Sequence, residues 1–102
     1  MNESIIIHSE AIVLLCKEHY VEYIALFGSA AKNMMHENSD IDLLVRFSNE
    51  LDVLDYADIY FSLKEKLENL LGKKVDLVSQ KSLKNPVLIE NIDQSKVVLY
   101  AA

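Results

Sequence analysis

A chain of 102 residues with 51% hydrophobic content is expected to form one domain with one core, without an appended substrate-binding domain. Its net charge of −6 and pI near 4.9 oppose a nucleic-acid partner, whose phosphates need a basic surface. The single cysteine excludes an internal disulfide and a cysteine-based zinc site, no apolar run reaches membrane-spanning length, and Glu3 is unlike a basic signal region, so a cytoplasmic location is expected.

Beyond Met1, residues 1–8 offer only Ile5, Ile6 and Ile7 as apolar content and are expected to be a stub on the edge of a single 1–102 domain with its core at 9–100. From Ser9, a fitting N-cap, the spacing of Ile12, Leu15, Cys16, His19 and Tyr20 predicts an amphipathic helix over one sheet face. On that stripe Cys16 reads as a small buried hydrophobe and His19 as a packed or boundary residue. Tyr23 to Phe27 has the length and composition of a strand and stops at Gly28-Ser29, where backbone freedom and a capping hydroxyl meet. Ala30 to Met35 is rich in helix formers, and His36 to Ser39 reads as a loop, with His36 either solvated or within reach of substrate.

Asp40-Ile41-Asp42 then opens a strand whose body is the apolar Leu43-Leu44-Val45. Arg46 follows on the same alternation and is expected to pair with an acid on the sheet face rather than reach a phosphate. After a polar break, Val53 to Leu71 predicts the longest helix, with Leu54, Ala57, Phe61, Leu67 and Leu71 along one side and Gly72 as its stop. That stripe is wider than one sheet face requires, which suits a dimer or a partner; Tyr56 and Tyr60 read as half-buried packing. Val75-Asp76-Leu77-Val78 is a third strand with an acid at its apolar centre, a costly place for an unpaired charge. Gln80 to Lys84 is a polar loop, Asn85-Pro86 starts a helix carrying Leu88, Ile89 and Ile92, and Val97 to Tyr100 is a last strand. The alternation predicts a small two-layer α/β fold with a mixed sheet of about four strands flanked by helices. A dinucleotide-binding domain fits poorly, because Gly28 and Gly72 are the only glycines and its glycine fingerprint is absent.

The carboxylates carry the chemistry. Side chains two apart on a strand share a face, roughly 6.6 Å apart, so Asp40 and Asp42 converge. Like charges that close raise each other's pKa unless a cation neutralises them, and Mg²⁺ prefers such oxygen ligands. A Gly-Ser turn running into a helix start offers N–H groups and a hydroxyl to phosphate oxygens. A phosphate cradle beside a metal site suggests a nucleotide.

Gly28-Ser29, ten intervening residues and Asp40-Ile41-Asp42, with Asp76 on a later strand, resemble the signature of the DNA polymerase β superfamily of nucleotidyltransferases. The chain's size is similar to its minimal nucleotidyltransferase (MNT) branch, and the closing helix and strand extend the likeness over most of the sequence. The resemblance implies a two-Mg²⁺ site held by Asp40, Asp42 and Asp76, and a triphosphate bound through Gly28, Ser29 and Lys32. It implies AMP transfer from ATP to a hydroxyl, such as a tyrosine, of a partner protein. Members of the branch are often antitoxins of helical HEPN-domain toxins, so a HEPN-type partner and a homo- or hetero-oligomer are implied as well. One departure stands out: Ala30, Ala31 and Asn33 occupy places where the family often carries basic residues and a further glycine, leaving Lys32 as the stand-in. A non-catalytic module that neutralises its partner by occlusion is the alternative, and a nucleotide sensor without turnover is a third.

Overall fold

Apolar runs of strand length and helical stripes alternate along the chain, and the computed structural model, which describes residues 3–28 and 40–102, turns them into one sheet with helices packed on it. The strands are β1 (Val21–Phe27), β2 (Ile41–Phe47), β3 (Val75–Ser79) and β4 (Val97–Ala101), in the order β3-β2-β1-β4. Both neighbours of β1 run antiparallel to it, whereas β2 and β3 are parallel, so the sheet is mixed as expected. The parallel pair needs a crossover, supplied by the longest helix. The helices are α1 (Glu3–Ile7), α2 (Ser9–Glu18), α3 (Tyr56–Leu71) and α4 (Pro86–Ser95), with a 3-10 turn at Gln80–Ser82.

Strand alternation sorts the residues. Ile24 and Leu26 on β1, Ile41, Leu43 and Val45 on β2, and Val75 and Leu77 on β3 share a face and are buried with Ile12 and Cys16 of α2 and Leu63, Leu67 and Leu71 of α3. The first residues do more than cap an edge, since Ile5 of α1 is wholly buried in this core. On the opposite face Leu44 meets Leu83, Ile89 and Ile92 around a cavity of about 180 Å³. The Leu88 side chain lies outside the described residues. Pro86 opens α4 with the Asn85 side chain accepting the Val87 N–H at 3.0 Å. Leu67→Ala, removing a fully buried side chain, is expected to destabilise the chain by about 2–5 kcal/mol in urea unfolding.

Three expectations are corrected. Helix α3 starts at Tyr56 rather than Val53, because Asp52 forms a turn of its own: its carboxylate accepts the Leu54 N–H at 3.0 Å, leaving Val53 and Leu54 each 87% exposed. The buried stripe of α3 is Leu63, Leu67 and Leu71, while Phe61 is 62% exposed and Ala57 also faces solvent. Tyr20 leaves the stripe of α2 altogether; it takes φ +60 in the turn into β1 and is exposed. Gly72 ends α3 as expected, at φ +66, donating its N–H to the Glu68 carbonyl.

His19 and Cys16 are structural. The His19 ring sits between the Leu15 carbonyl (2.7 Å from Nδ1) and the Ser62 hydroxyl (3.1 Å from Nε2), tying α2 to α3. Burial pushes the Cys16 thiol up to about 12, so it stays protonated and is expected not to react with a disulfide reagent at pH 8 until the chain is unfolded by urea.

Candidate active site

The carboxyl end of β1 and the first residues of β2 and β3 meet at one end of the sheet. The Ile41 N–H donates to the Lys74 carbonyl at 2.9 Å, which fixes where β2 and β3 start relative to each other. In the resulting register Phe27 lies opposite Asp42, and Asp42 lies beside Asp76. Both carboxylates therefore project from the face opposite the one carrying Ile41, Leu43, Val75 and Leu77. Asp40 stands exposed immediately ahead of β2.

Asp42 is half-buried, and its pKa is raised, first by burial and then by the charges of Asp76 and Asp40. Asp42 is thus within electrostatic reach of both other expected acids. Asp76 itself is exposed, which corrects the expectation of a charge sunk in an apolar strand centre: Val75 and Leu77 supply the buried side and Asp76 points the other way. Gly28 closes the site from β1. It takes φ +70, and a Cβ placed there would stand 2.5 Å from Asp42 Oδ2 and 3.4 Å from its Cγ, so the missing side chain is what leaves room for the Asp42 carboxylate.

Ser29, Lys32 and His36 lie outside the described residues, as do the expected helix and loop between Gly28 and Asp40. Arg46 has the structural role expected: its Nε donates to Glu22 at 3.2 Å and its guanidinium lies 5.4 Å from the centroid of the Tyr23 ring. Tyr60, expected as half-buried packing, also lies at the site's edge. Its hydroxyl donates to the Leu77 carbonyl, and its pKa is raised by burial, then by Asp76 and Tyr56. A helical stripe marks a tyrosine as half-buried; no pattern in the chain announces a bond to a strand 17 residues away.

The donor set is all carboxylate oxygen, the chemistry of Mg²⁺ rather than of zinc or copper, and the repulsion that raises Asp42 is what a divalent cation relieves. Among the described residues no three His, Cys, Asp or Glu side chains form a closed metal-binding group, so the fit lies in donor type and charge rather than in a finished cage.

Residues 10–102 match the family model described as Polymerase beta, Nucleotidyltransferase. A chain of Methanocaldococcus jannaschii provisionally named a protein adenylyltransferase is 43% identical over 84 residues, covering 81% of this chain and 82% of its own length. A solved structure provisionally described as a minimal nucleotidyltransferase superposes with a TM-score of 0.75 at 38% identity, covering 93% of this chain and 92% of that one. A chain from the complex of tri-AMPylated Shewanella oneidensis HEPN toxin with MNT antitoxin gives 0.64 at 26% identity, covering 94% and 71%.

Proposed function

Because the chain belongs to the polymerase β nucleotidyltransferase family, we propose that it transfers AMP from ATP to a tyrosine hydroxyl of a HEPN-type toxin and is the antitoxin of that pair. The observation that carries this reading is the pairing of Asp42 with Asp76 on adjacent parallel strands, with Asp40 one step ahead and Gly28 against the Asp42 carboxylate. The adenylyltransferase name of the M. jannaschii relative and the AMPylated toxin in the Shewanella oneidensis complex support the choice of AMP and of a HEPN partner. No described helix is long and apolar enough to cross a membrane.

In the proposed reaction the acceptor oxygen bonds to the α-phosphorus, the bond from that phosphorus to the bridging oxygen breaks, and pyrophosphate leaves. Bound at Asp40, Asp42 and Asp76, two Mg²⁺ ions would supply neutralisation of charge at the attacking and leaving oxygens. Gly28 lets the backbone approach the nucleotide, while the Ser29 hydroxyl and Lys32 hold the terminal phosphates. Asp76, exposed on β3 beside Asp42, would take the proton of the acceptor hydroxyl. Asp42, half-buried on β2 between β1 and β3, is the inner of the three carboxylates.

The test is intact-mass analysis of a HEPN-type protein, sought in the reading frame next to this chain's gene, after incubation with MgATP and the chain. An AMP increment is expected with the wild type and none with Asp42→Asn. Neutralisation that survives Asp42→Asn, with no increment from either form, would move the assignment to occlusion.

A further inference from the structure

We propose that Glu68 and Tyr60, two side chains of α3 outside the carboxylate trio, are positioning residues that hold Asp76 in place by bracing the open edge of its strand. The inference rests on the site reading above and extends it to residues that touch neither nucleotide nor acceptor.

The sheet order leaves β3 at an edge, with β2 on one side only. Since the Lys74 carbonyl accepts the Ile41 N–H, strand alternation turns the backbone of Asp76 toward β2 and that of Val75 and Leu77 toward the open side. Edge groups of this kind are normally left to water or to another chain. Here they are held by side chains. The Val75 N–H donates to Glu68 Oε2 at 2.9 Å, and the Leu77 carbonyl accepts the Tyr60 hydroxyl. Farther on, the Ser79 carbonyl accepts the Ser82 hydroxyl at 2.7 Å. The two residues that flank Asp76 are therefore each tied to α3, on the side that no strand covers.

Such bonds matter more at this place than elsewhere in the sheet. Asp76 is exposed, so its position depends largely on the backbone on either side. Glu68 and Tyr60 are two turns apart on α3, flanking the buried Leu63 and Leu67 that anchor the helix to the core, so the brace has a rigid base. Outer-shell partners that orient carboxylate ligands typically change metal affinity or activity by about 10–100-fold when removed.

Tyr60→Phe removes one oxygen and keeps the ring that packs against Phe61 and Tyr56, and Glu68→Ala removes the other contact. Glu68→Gln retains an acceptor oxygen and serves as the rescue. Three readouts apply to the full chain: amide hydrogen exchange at Asp76, Mn²⁺ binding by electron paramagnetic resonance, and the kcat and KM of AMP transfer to the HEPN partner. Tyr60→Phe and Glu68→Ala are each expected to speed exchange at Asp76 about tenfold and to weaken Mn²⁺ about tenfold. They should lower kcat with the KM for ATP within about twofold, and Glu68→Gln should recover most of each loss. Unchanged exchange at Asp76 in folded Tyr60→Phe and Glu68→Ala, or faster exchange with Mn²⁺ affinity intact, would overturn the brace. A wild type that binds Mn²⁺ and loses it in these variants, yet modifies no partner, would refute the AMP-transfer reading and leave the brace standing.

Discussion

Asp42→Asn is expected to abolish AMP transfer, by about a thousandfold or more (~4 kcal/mol of barrier), and at the same time to raise the melting temperature of the chain in EDTA. The two effects share a cause. Asp42 sits half-buried beside Asp76 and Asp40, which together with burial raise its pKa above the ordinary carboxylate value. For an acid raised in the folded state the ionised form is the disfavoured one. Its contribution to stability is full below the ordinary carboxylate range and is lost as pH rises through the raised pKa. An amide carries no such penalty at pH 7, so the variant should melt higher there, and its advantage should shrink as the pH is lowered toward 4. Thermal melts of both forms at the two pH values check this; a variant that melts below the wild type at pH 7 would mean the carboxylate is held by stabilising partners instead.

Gly28→Ala should be nearly as damaging to activity, with a loss of about a hundredfold, and should destabilise the chain by about 1–3 kcal/mol. Two separate costs add. The φ of +70 is strained for any residue with a Cβ, and that Cβ would stand 2.5 Å from Asp42 Oδ2, so the carboxylate must move. Gly72 separates the two. It has a similar φ of +66 with nothing within 4 Å of a built Cβ, so Gly72→Ala should carry the strain alone, about 1–2 kcal/mol, and leave transfer unchanged. Equal losses of activity in the two variants, measured by partner modification, would show that strain rather than the clash with Asp42 is responsible.

Much of this arrangement is legible in the chain. Apolar runs broken by Gly28 and by the Lys73-Lys74 pair mark where β1 ends and β3 begins, and the Asp40-Ile41-Asp42 spacing puts two acids on one face before any coordinates are known. Where fold and sequence pattern differ, two patterns compete. Helix α3 carries two apolar stripes, one through Ala57 and Phe61 and one through Leu63, Leu67 and Leu71, and only contact with the sheet decides which is buried. It starts at Tyr56 rather than Val53 because Val53 and Leu54, though apolar, lie in a turn held by Asp52. The depth of Asp42 against the exposure of Asp76 is equally invisible in sequence, since both sit at a strand start and only the neighbouring β1 distinguishes them. Glu68 and Tyr60 escape pattern altogether, because a side chain that bonds a distant backbone leaves no period.

Binding of Mn²⁺ with the non-hydrolysable analogue AMP-PNP, followed residue by residue through paramagnetic broadening of the amide signals, tests the shared cleft most directly. Broadening centred on Gly28, Asp42 and Asp76, and abolished by Asp42→Asn, is the predicted result. Broadening centred elsewhere on the chain, or unaltered by that substitution, would contradict it.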